Sequence, residues 1–505
     1  KVSDGNSTSV AATESVAVSA VNDTPVVDLN GTAAGGNKAD TFTEVDGDDT
    51  GAAAVYLNGT GTGSLTAVTN LTDLDNSTLA SMTVSTAASS IKTGDVLVLE
   101  AAGGDVTLNL ANNTSANQIV SVGSQKFNVT IAADGGNQVL TIASVNNASA
   151  GTTVDAAEAA TVAEFDAVLD ALKFNNTENA SPTVGDRVFA VSANDGTNAG
   201  AAATVTVTVA ATNDTPTVSI VDATPTFTES QGSHAANNVT VINNKITLAD
   251  LDTAVLKDAT VEITNVKTGD VLALDTSTHT KFDATLSGGV LTIAEKSGQT
   301  ASTAELQAAL RDVTFANTTD SPDTTARTIE FKVSDGNSTS VAATESVAVT
   351  ATNDIPSFTF SDGAPAFTED QGAHTSGNAT VINSSFTAAD LDGSIASATV
   401  VLTNPKANDA LLFTDTAKIK GAIVDAGGAK TLTLTPVTGE TPTPAEFAAA
   451  LSSVKFANTS DTPDATARSI TFKVTDNDGT DSTVLTESVV VSAVNDTPVV
   501  DLNGT

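Results

Sequence analysis

The chain copies itself at two scales, and that repetition constrains its fold more than any local motif. Glu14–Thr32 returns at Glu487–Thr505 with one change, Ala17 becoming Val490, an offset of 473 residues (487 minus 14). Between the copies an Asn-Asp-x-Pro phrase recurs with its acid at Asp23, Asp214, Asp354 and Asp496, at spacings of 191, 140 and 142 residues. Three modules therefore make one super-repeat, the signature of an array in which one structural unit is used again and again. We place the modules at 24–214, 215–354 and 355–496. Residues 1–23 then read as the end strands of a preceding module and 497–505 as the start of a following one, so a stretch of a longer array is expected.

Within a module the pattern is that of short strands. Ala203–Ala210, Thr328–Val333 and Ser469–Val474 alternate apolar residues with Thr, Ser, Lys or Glu, the period of a half-buried antiparallel strand. Asp195-Gly196, Asp335-Gly336 and Ser287-Gly-Gly289 punctuate them as turns. The fold expected is all-β: tandem Ig- or cadherin-like β-sandwich modules in an extended rod, each with one short helix. The helices are predicted at Val162–Leu169, Thr303–Leu310 and Pro444–Leu451, where apolar residues four apart form a two-turn stripe over an open end of the sandwich. The first module is longer. Its surplus falls partly between Phe42 and Asp73 and mostly in Ser90–Ala150, where Val96–Leu99 and Val129–Ile131 suggest extra strands in a side sheet, a hairpin or an enlarged sandwich edge.

Composition sets limits on partners. Sixty acidic residues against 21 basic ones give a net charge of −39. Nucleic acid is not an expected partner, because phosphate binding needs clustered Lys and Arg, and an anionic membrane surface is disfavoured on the same ground. There is no Cys, so no disulfide framework stiffens the chain. Hydrophobic residues at 40% suffice for small cores, so this is not a disordered acidic tail. No apolar run is long enough for a membrane helix. Catalysis finds little support: three His are few for acid and base work, and no nucleophile and base recur together.

The carboxylates carry the chemistry. Each module has a Thr-Glu near its start (Glu44, Glu229, Glu369) and then an Asp-Leu-Asp (Asp73 and Asp75; Asp250 and Asp252; Asp390 and Asp392). Acids follow in the loop before the penultimate strand (Glu178 and Asp186; Asp320 and Asp323; Asp461 and Asp464) and at an Asp-Gly turn after it (Asp195, Asp335, Asp478). The module closes on Asn213-Asp214, Asn353-Asp354 or Asn495-Asp496. Hard oxygens on alternating residues and in tight turns suit Ca²⁺, which takes six to eight oxygen ligands. Two carboxylates about 4 Å apart repel by roughly 4 kcal/mol at an effective dielectric near 20, which a cation would relieve. His234 and His374 occupy matching places but lack a second His or Cys at ligand spacing. Asn-x-Ser/Thr triplets abound and leave glycosylation unassigned.

This arrangement, Asn-Asp-x-Pro at a module end with Glu, Asp-x-Asp and a late Asp-Gly turn, resembles the calcium-junction motifs of cadherin repeats. With its Ala-Glu-(Leu/Phe) helix before a Phe-Ala-Asn-Thr strand, the module is similar to the type I secretion target repeats of giant (RTX-type) bacterial surface adhesins and to chondroitin sulfate proteoglycan repeats. The resemblance implies calcium held between successive modules. The ligands at Asp214 would be Glu44, Glu178 or Asp186, Asn213, Asp214, Asp250, Asp252 and Asp335. Those at Asp354 would be Glu229, Asp320 or Asp323, Asn353, Asp354, Asp390, Asp392 and Asp478. Where cadherin linkers carry a further Asp two residues before the Asn, this chain has Ala20, Ala211, Ala351 and Ala493, so fewer or weaker ions are implied.

The function expected is an extracellular, calcium-rigidified spacer or fibre of a bacterial surface adhesin or matrix filament, serving adhesion or biofilm cohesion. Its partners would be neighbouring modules and, through sheet edges, other copies. The alternatives are a glycan- or protein-binding module built on the first module's insertion, or a surface-layer component. Aromatic residues are scarce, with Tyr56 the only Tyr and no Trp, which counts against carbohydrate stacking.

Overall fold

The computed structural model describes residues 1–497 except 31–36, 46–52, 59–70, 112–117, 146–159, 179–180, 233–237, 254, 362, 364 and 372–377. His234, His374 and the end of the second long copy lie outside the described residues. The chain is all-β, built of tandem β-sandwich modules, with three short helices among the described residues.

One compact unit comprises Lys1–Thr217, Ala249–Leu256 and Ser334–Ser340. Its larger sheet has seven strands, in the order Lys38–Thr43, Ala203–Ala210, Gly185–Asn194, Ser81–Ala87, Asn137–Ser144, Gln125–Asp134 and Gln118–Val122. Lys38–Thr43 runs parallel to Ala203–Ala210 and the remaining pairs are antiparallel. The facing sheet has four strands: Val55–Tyr56, Leu172–Asn176, Asp95–Leu99 and Val106–Asn109. Alternation does the sorting. In Ala203–Ala210 every second residue, from Ala203 to Val209, is buried, while the Thr residues between them face outward.

Among the described residues, the surplus of the first module shows as edge growth. Val106–Asn109 and Gln118–Val122 each occupy the outer edge of an existing sheet. Val96–Leu99 and Val129–Ile131, predicted as the extra strands, belong instead to Asp95–Leu99 and Gln125–Asp134. Those strands have counterparts in the other sandwiches at Asp270–Ala273 and Phe282–Ser287, and at Asp409–Leu412 and Ile419–Ala426. Apolar alternation marks a strand without saying whether its position is ancestral or added.

The other unit comprises Val218–Leu248, Lys257–Val333 and Val341–Thr505 and holds two sandwiches. The six-stranded sheet of the first runs Thr226–Thr228, Ala343–Thr350, Arg327–Ser334, Asp258–Ile263, Val290–Glu295, Phe282–Ser287. In the second the order is Ala366–Thr368, Leu485–Ser492, Arg468–Asp476, Ile395–Leu402, Ala429–Pro436, Ile419–Ala426. Each faces a three-stranded sheet.

The same edge-to-face phenylalanine pair sits in all three cores: Phe42 with Phe174 at 5.8 Å, Phe227 with Phe315 at 5.6 Å, and Phe367 with Phe456 at 5.5 Å between ring centres. Such a pair adds about 0.5–1.5 kcal/mol beyond the area it buries. The helices α1 (Val162–Asp170), α2 (Thr303–Arg311) and α3 (Pro444–Ser452) lie where the four-apart stripes predicted them. Each starts on a capping box, Thr161 with Glu164, Ser302 with Glu305, Thr443 with Glu446, which satisfies two orphan backbone donors. Their apolar faces, Phe165 and Leu169, Leu306 and Leu310, Phe447 and Leu451, are fully buried.

Candidate metal centre

The linker acids are held by the same bonds at each recurrence. The Asp23 N–H donates to Asp75 at 3.1 Å, that of Asp214 to Asp252 at 3.1 Å and that of Asp354 to Asp392 at 3.0 Å. The Asn before each donates its amide to a turn carboxylate: Asn22 to Asp195 at 2.7 Å, Asn213 to Asp335 at 2.8 Å, Asn353 to Asp476 at 2.9 Å. On the other side the chain is clamped by the Glu of the Thr-Glu pair. Glu44 accepts from the Thr212 N–H at 3.2 Å, Glu229 from Thr352 at 3.0 Å and Glu369 from Val494 at 2.9 Å, and all three Glu are almost fully buried. Gln371 donates to the carbonyl of Asn495 at 3.2 Å, and Asn495 to that of Asp496. The members around Asp214 all lie in the first unit, and those around Asp354 all lie in the second.

These bonds use only part of each carboxylate. Asp73 Oδ2, Asp250 Oδ2, Asp252 Oδ1, Asp354 Oδ2, Asp392 Oδ1 and both oxygens of Asp390 are buried without a hydrogen-bond donor. Asp354 as a whole is only 1% exposed, and an orphaned buried acceptor costs on the order of 1–3 kcal/mol. Burial, then the neighbouring Asp252 carboxylate, push Asp250 up to about 6. Burial, then Asp392, Asp476 and Asp354, do the same for Asp390, also to about 6. The turn acids go the other way. N–H bonds from Asn198, Asn22 and Thr197 lower Asp195, and although burial opposes it, bonds from Ser338 and Asn337 lower Asp335.

The donors are thus of the right kind for a hard cation: carboxylate oxygens, buried, mutually repelling and short of hydrogen-bond donors. Among the described residues no three Asp, Glu, His or Cys side chains stand together in a geometry that could grip an ion as they are. Loading would require the Asp-x-Asp pair and the linker Asp to close on one another.

The third turn departs from expectation. Asp478 is exposed, and the place of Asp195 and Asp335 is taken by Asp476, which is 2% exposed and accepts from the Asn353 amide and the Thr480 N–H. Counting from the preceding Arg would have found it, since Arg187–Asp195, Arg327–Asp335 and Arg468–Asp476 have one spacing.

The acids of the loop before the penultimate strand do different work. Asp186 accepts from the Thr208 hydroxyl, and the Glu178 N–H donates to Asn176. The Thr325 side chain and N–H hold Asp323 at about 2, with Lys267 at 3.3 Å, and Asp464 is lowered in the same way by Thr466, with Lys406 at 3.8 Å. Asp320 is half-buried and Asp461 exposed in the same loops.

Those loops wrap a buried ion pair that sequence reasoning missed. Arg187 meets Asp95 at 2.6 Å, Arg327 meets Asp270 at 2.7 Å and Arg468 meets Asp409 at 2.6 Å, each tying the two sheets of its sandwich together. Asn176, Asn317 and Asn458 donate to the other carboxylate oxygen, and the N–H groups of Lys92, Lys267 and Lys406 complete the shell. The arginines spend their remaining donors on loop carbonyls such as Thr183, Asp323 and Asp464. Each Asp follows a left-handed residue, Gly94, Gly269 or Asn408, residue types that tolerate positive φ. A Cβ on Gly94 or Gly269 would also strike the Asn of the pair at 2.7 or 2.9 Å. The signal was present: of the chain's four Arg, three are these.

No family model matches the chain, and no curated protein matches it. Among solved structures it is similar to mouse cadherin-23 EC22-24, at 11% identity over 94% of this chain and 100% of that one, TM-score 0.27. It is also similar to Drosophila N-cadherin EC1-3, at 11% over 91% and 98%, TM-score 0.17, and to the fibronectin(III)-like modules of Clostridium thermocellum CbhA, at 9% over 55% and 94%, TM-score 0.14. Superpositions this loose leave the fold to be argued from the sheets themselves.

Proposed function

We propose that this chain is an extracellular, calcium-stiffened spacer or fibre segment of a repetitive bacterial surface adhesin or matrix filament, not an enzyme. One observation carries the reading: the same linker bonds recur at Asp23, Asp214 and Asp354 beside buried carboxylate oxygens that the chain leaves without donors. A catalyst needs one such site, whereas a spacer gains from copying it.

Asp250, Asp252, Asp214, Asp335 and Glu44 would hold one ion, and Asp390, Asp392, Asp354, Asp476 and Glu229 another, with Asp73, Asp75 and Asp195 contributing at Asp23. Calcium bound there supplies the positive charge that the orphaned oxygens lack. The residues themselves orient the linker: Glu229 fixes Thr352, and Asp392 fixes the Asp354 N–H. Module boundaries at 214, 354 and 496 fit this role, each placing a linker Asp at a module end. The extra strands of the first module extend existing sheets, which supports a wider sandwich over a separate receptor. No helix among the described residues is long and apolar enough to cross a membrane.

Small-angle scattering and calorimetry of the full chain across a calcium titration, with an EGTA control, test the reading. Maximum dimension and Tm should rise together in the range typical of extracellular modules, about 0.1–1 mM. If neither responds, these carboxylates do not bind calcium and the proposal fails.

A further inference from the structure

One polar interior position differs between the sandwiches. Asn58, Asn243 and Asn383 occupy the same place, 16 residues after Phe42, Phe227 and Phe367, and all three are buried. Asn243 and Asn383 donate to buried Glu345 and Glu487, whose carboxylates also accept from the N–H groups of Ala223 and Gly363. In the first sandwich Val205 stands where Glu345 and Glu487 do, and Lys38 stands where Ala223 and Gly363 do. Lys38 is the one buried lysine among the described residues. Its ammonium donates to the carbonyls of Tyr56 at 2.6 Å and Asn58 at 3.1 Å and lies 3.2 Å from Asp40. Asn58 is 1% exposed; its amide nitrogen donates to Asp170 in a short bond, and its side-chain oxygen has no donor. A buried amine and a buried carboxamide thus lie beside each other, with the half-buried Asp170 carboxylate on the carboxamide nitrogen.

We propose that Lys38 and Asn58 condense into an intramolecular amide, tying the Lys38–Thr43 strand to the segment that follows Val55–Tyr56. The deprotonated Lys38 Nζ attacks Asn58 Cγ, forming the new C–N bond. The Cγ–Nδ2 bond breaks and ammonia leaves. Asp170, already bonded to Nδ2, takes the proton from the attacking amine and gives it to the leaving nitrogen, so no oxidant or further reactant is consumed. Burial favours the reactive form, since desolvation lowers Lys38. Lys38 Nζ already touches the main-chain carbonyl of Asn58 at 3.1 Å, and attack on Cγ of the same residue requires the lysine stem to turn toward it. The second and third sandwiches have Ala223 and Gly363 at this position and so lack the amine.

Intact-mass spectrometry of the purified 505-residue protein reads the outcome. The expected mass is lower than that of the sequence by one ammonia, about 17 Da, with a protease-resistant peptide joining Lys38 to Asn58. Asn58 precedes Gly59, so a succinimide at that bond would give the same loss. Lys38→Met separates the two, restoring the full mass if the lysine is the nucleophile. Asp170→Asn keeps both reacting groups and should also return the full mass. An unshifted wild-type mass after days at pH 8, a deamidated Asn58, or a loss that survives Lys38→Met each overturns the proposal.

Discussion

Asp270 and Asp390 are both half-buried or buried carboxylates repeated from sandwich to sandwich, yet their surroundings are opposite. Asp270 has every oxygen answered, by Arg327, Asn317 and the Lys267 N–H. Asp390 has neither oxygen answered and sits among Asp392, Asp476 and Asp354. The chain supplies its own cation where a carboxylate fastens two sheets and withholds one beside the linker. The contrast separates acids that build the sandwich from acids that, in the proposed function, would take a cation from outside the chain.

The largest expected effect breaks the answered pair. Arg327→Met leaves Asp270 buried and charged without its partner, which should destabilise the second sandwich by about 3–5 kcal/mol. Calorimetry of the full chain would show one transition falling while the others stay. Asp270→Asn with Arg327→Met should recover part of the loss, because the uncompensated charge goes with the partner. Neither variant should alter the calcium response of the Asp354 group.

Neutralising the unanswered carboxylates should have the opposite sign without metal. Asp390→Asn relieves repulsion and is expected to raise the metal-free Tm, while abolishing the gain on adding calcium at that linker. With a dissociation constant of about 0.1–1 mM, 10 mM calcium would stabilise by roughly 1.4–2.7 kcal/mol per site. A variant that loses metal-free stability and keeps the full calcium gain would reverse the assignment.

Acidity sharpens the comparison further. Asp250 and Asp390 lie near 6 in the folded chain against about 3.9 unfolded. Between those values the folded state binds more protons, so the stability they contribute is present at low pH and is lost as pH rises through 6. Metal-free protein should therefore melt lower at pH 7 than at pH 5 on account of these groups. Bound calcium favours the ionised forms and should flatten or invert that slope. Melting curves in EGTA and in calcium across this window decide it, and a metal-free slope that rises with pH would contradict the shifts.

Much of this was legible in the residues. The helices announced themselves through the four-apart stripe, and a Thr/Ser-x-x-Glu capping box, as at Ser302–Glu305, was a second signal that had gone unused. The linker acids were found because repetition put them in register. What stayed hidden depends on contacts between distant segments: nothing local pairs Arg187 with Asp95, or Lys38 with Asn58 and Asp170. The added strands were misplaced for a related reason, since the continuous apolar run Val96–Leu99 and the alternating Val106–Asn109 both read as strands and only pairing shows which one sits at the edge.

The smallest effect tests the turn of the third sandwich. Asp-Gly favoured Asp478, but the strand carries its register from Arg468, and a turn one residue longer leaves Asp478 in solvent while Asp476 faces Asn353. Asp478→Asn should change stability by less than about 0.5 kcal/mol and leave the calcium response intact. Asp476→Asn removes a charge that accepts from Asn353 and Thr480. It should cost about 1 kcal/mol and weaken calcium at the Asp354 linker. If the two variants respond alike to calcium, the turn does not contribute a ligand, and the ion, where it binds, is held by Asp390, Asp392, Asp354 and Glu229 alone.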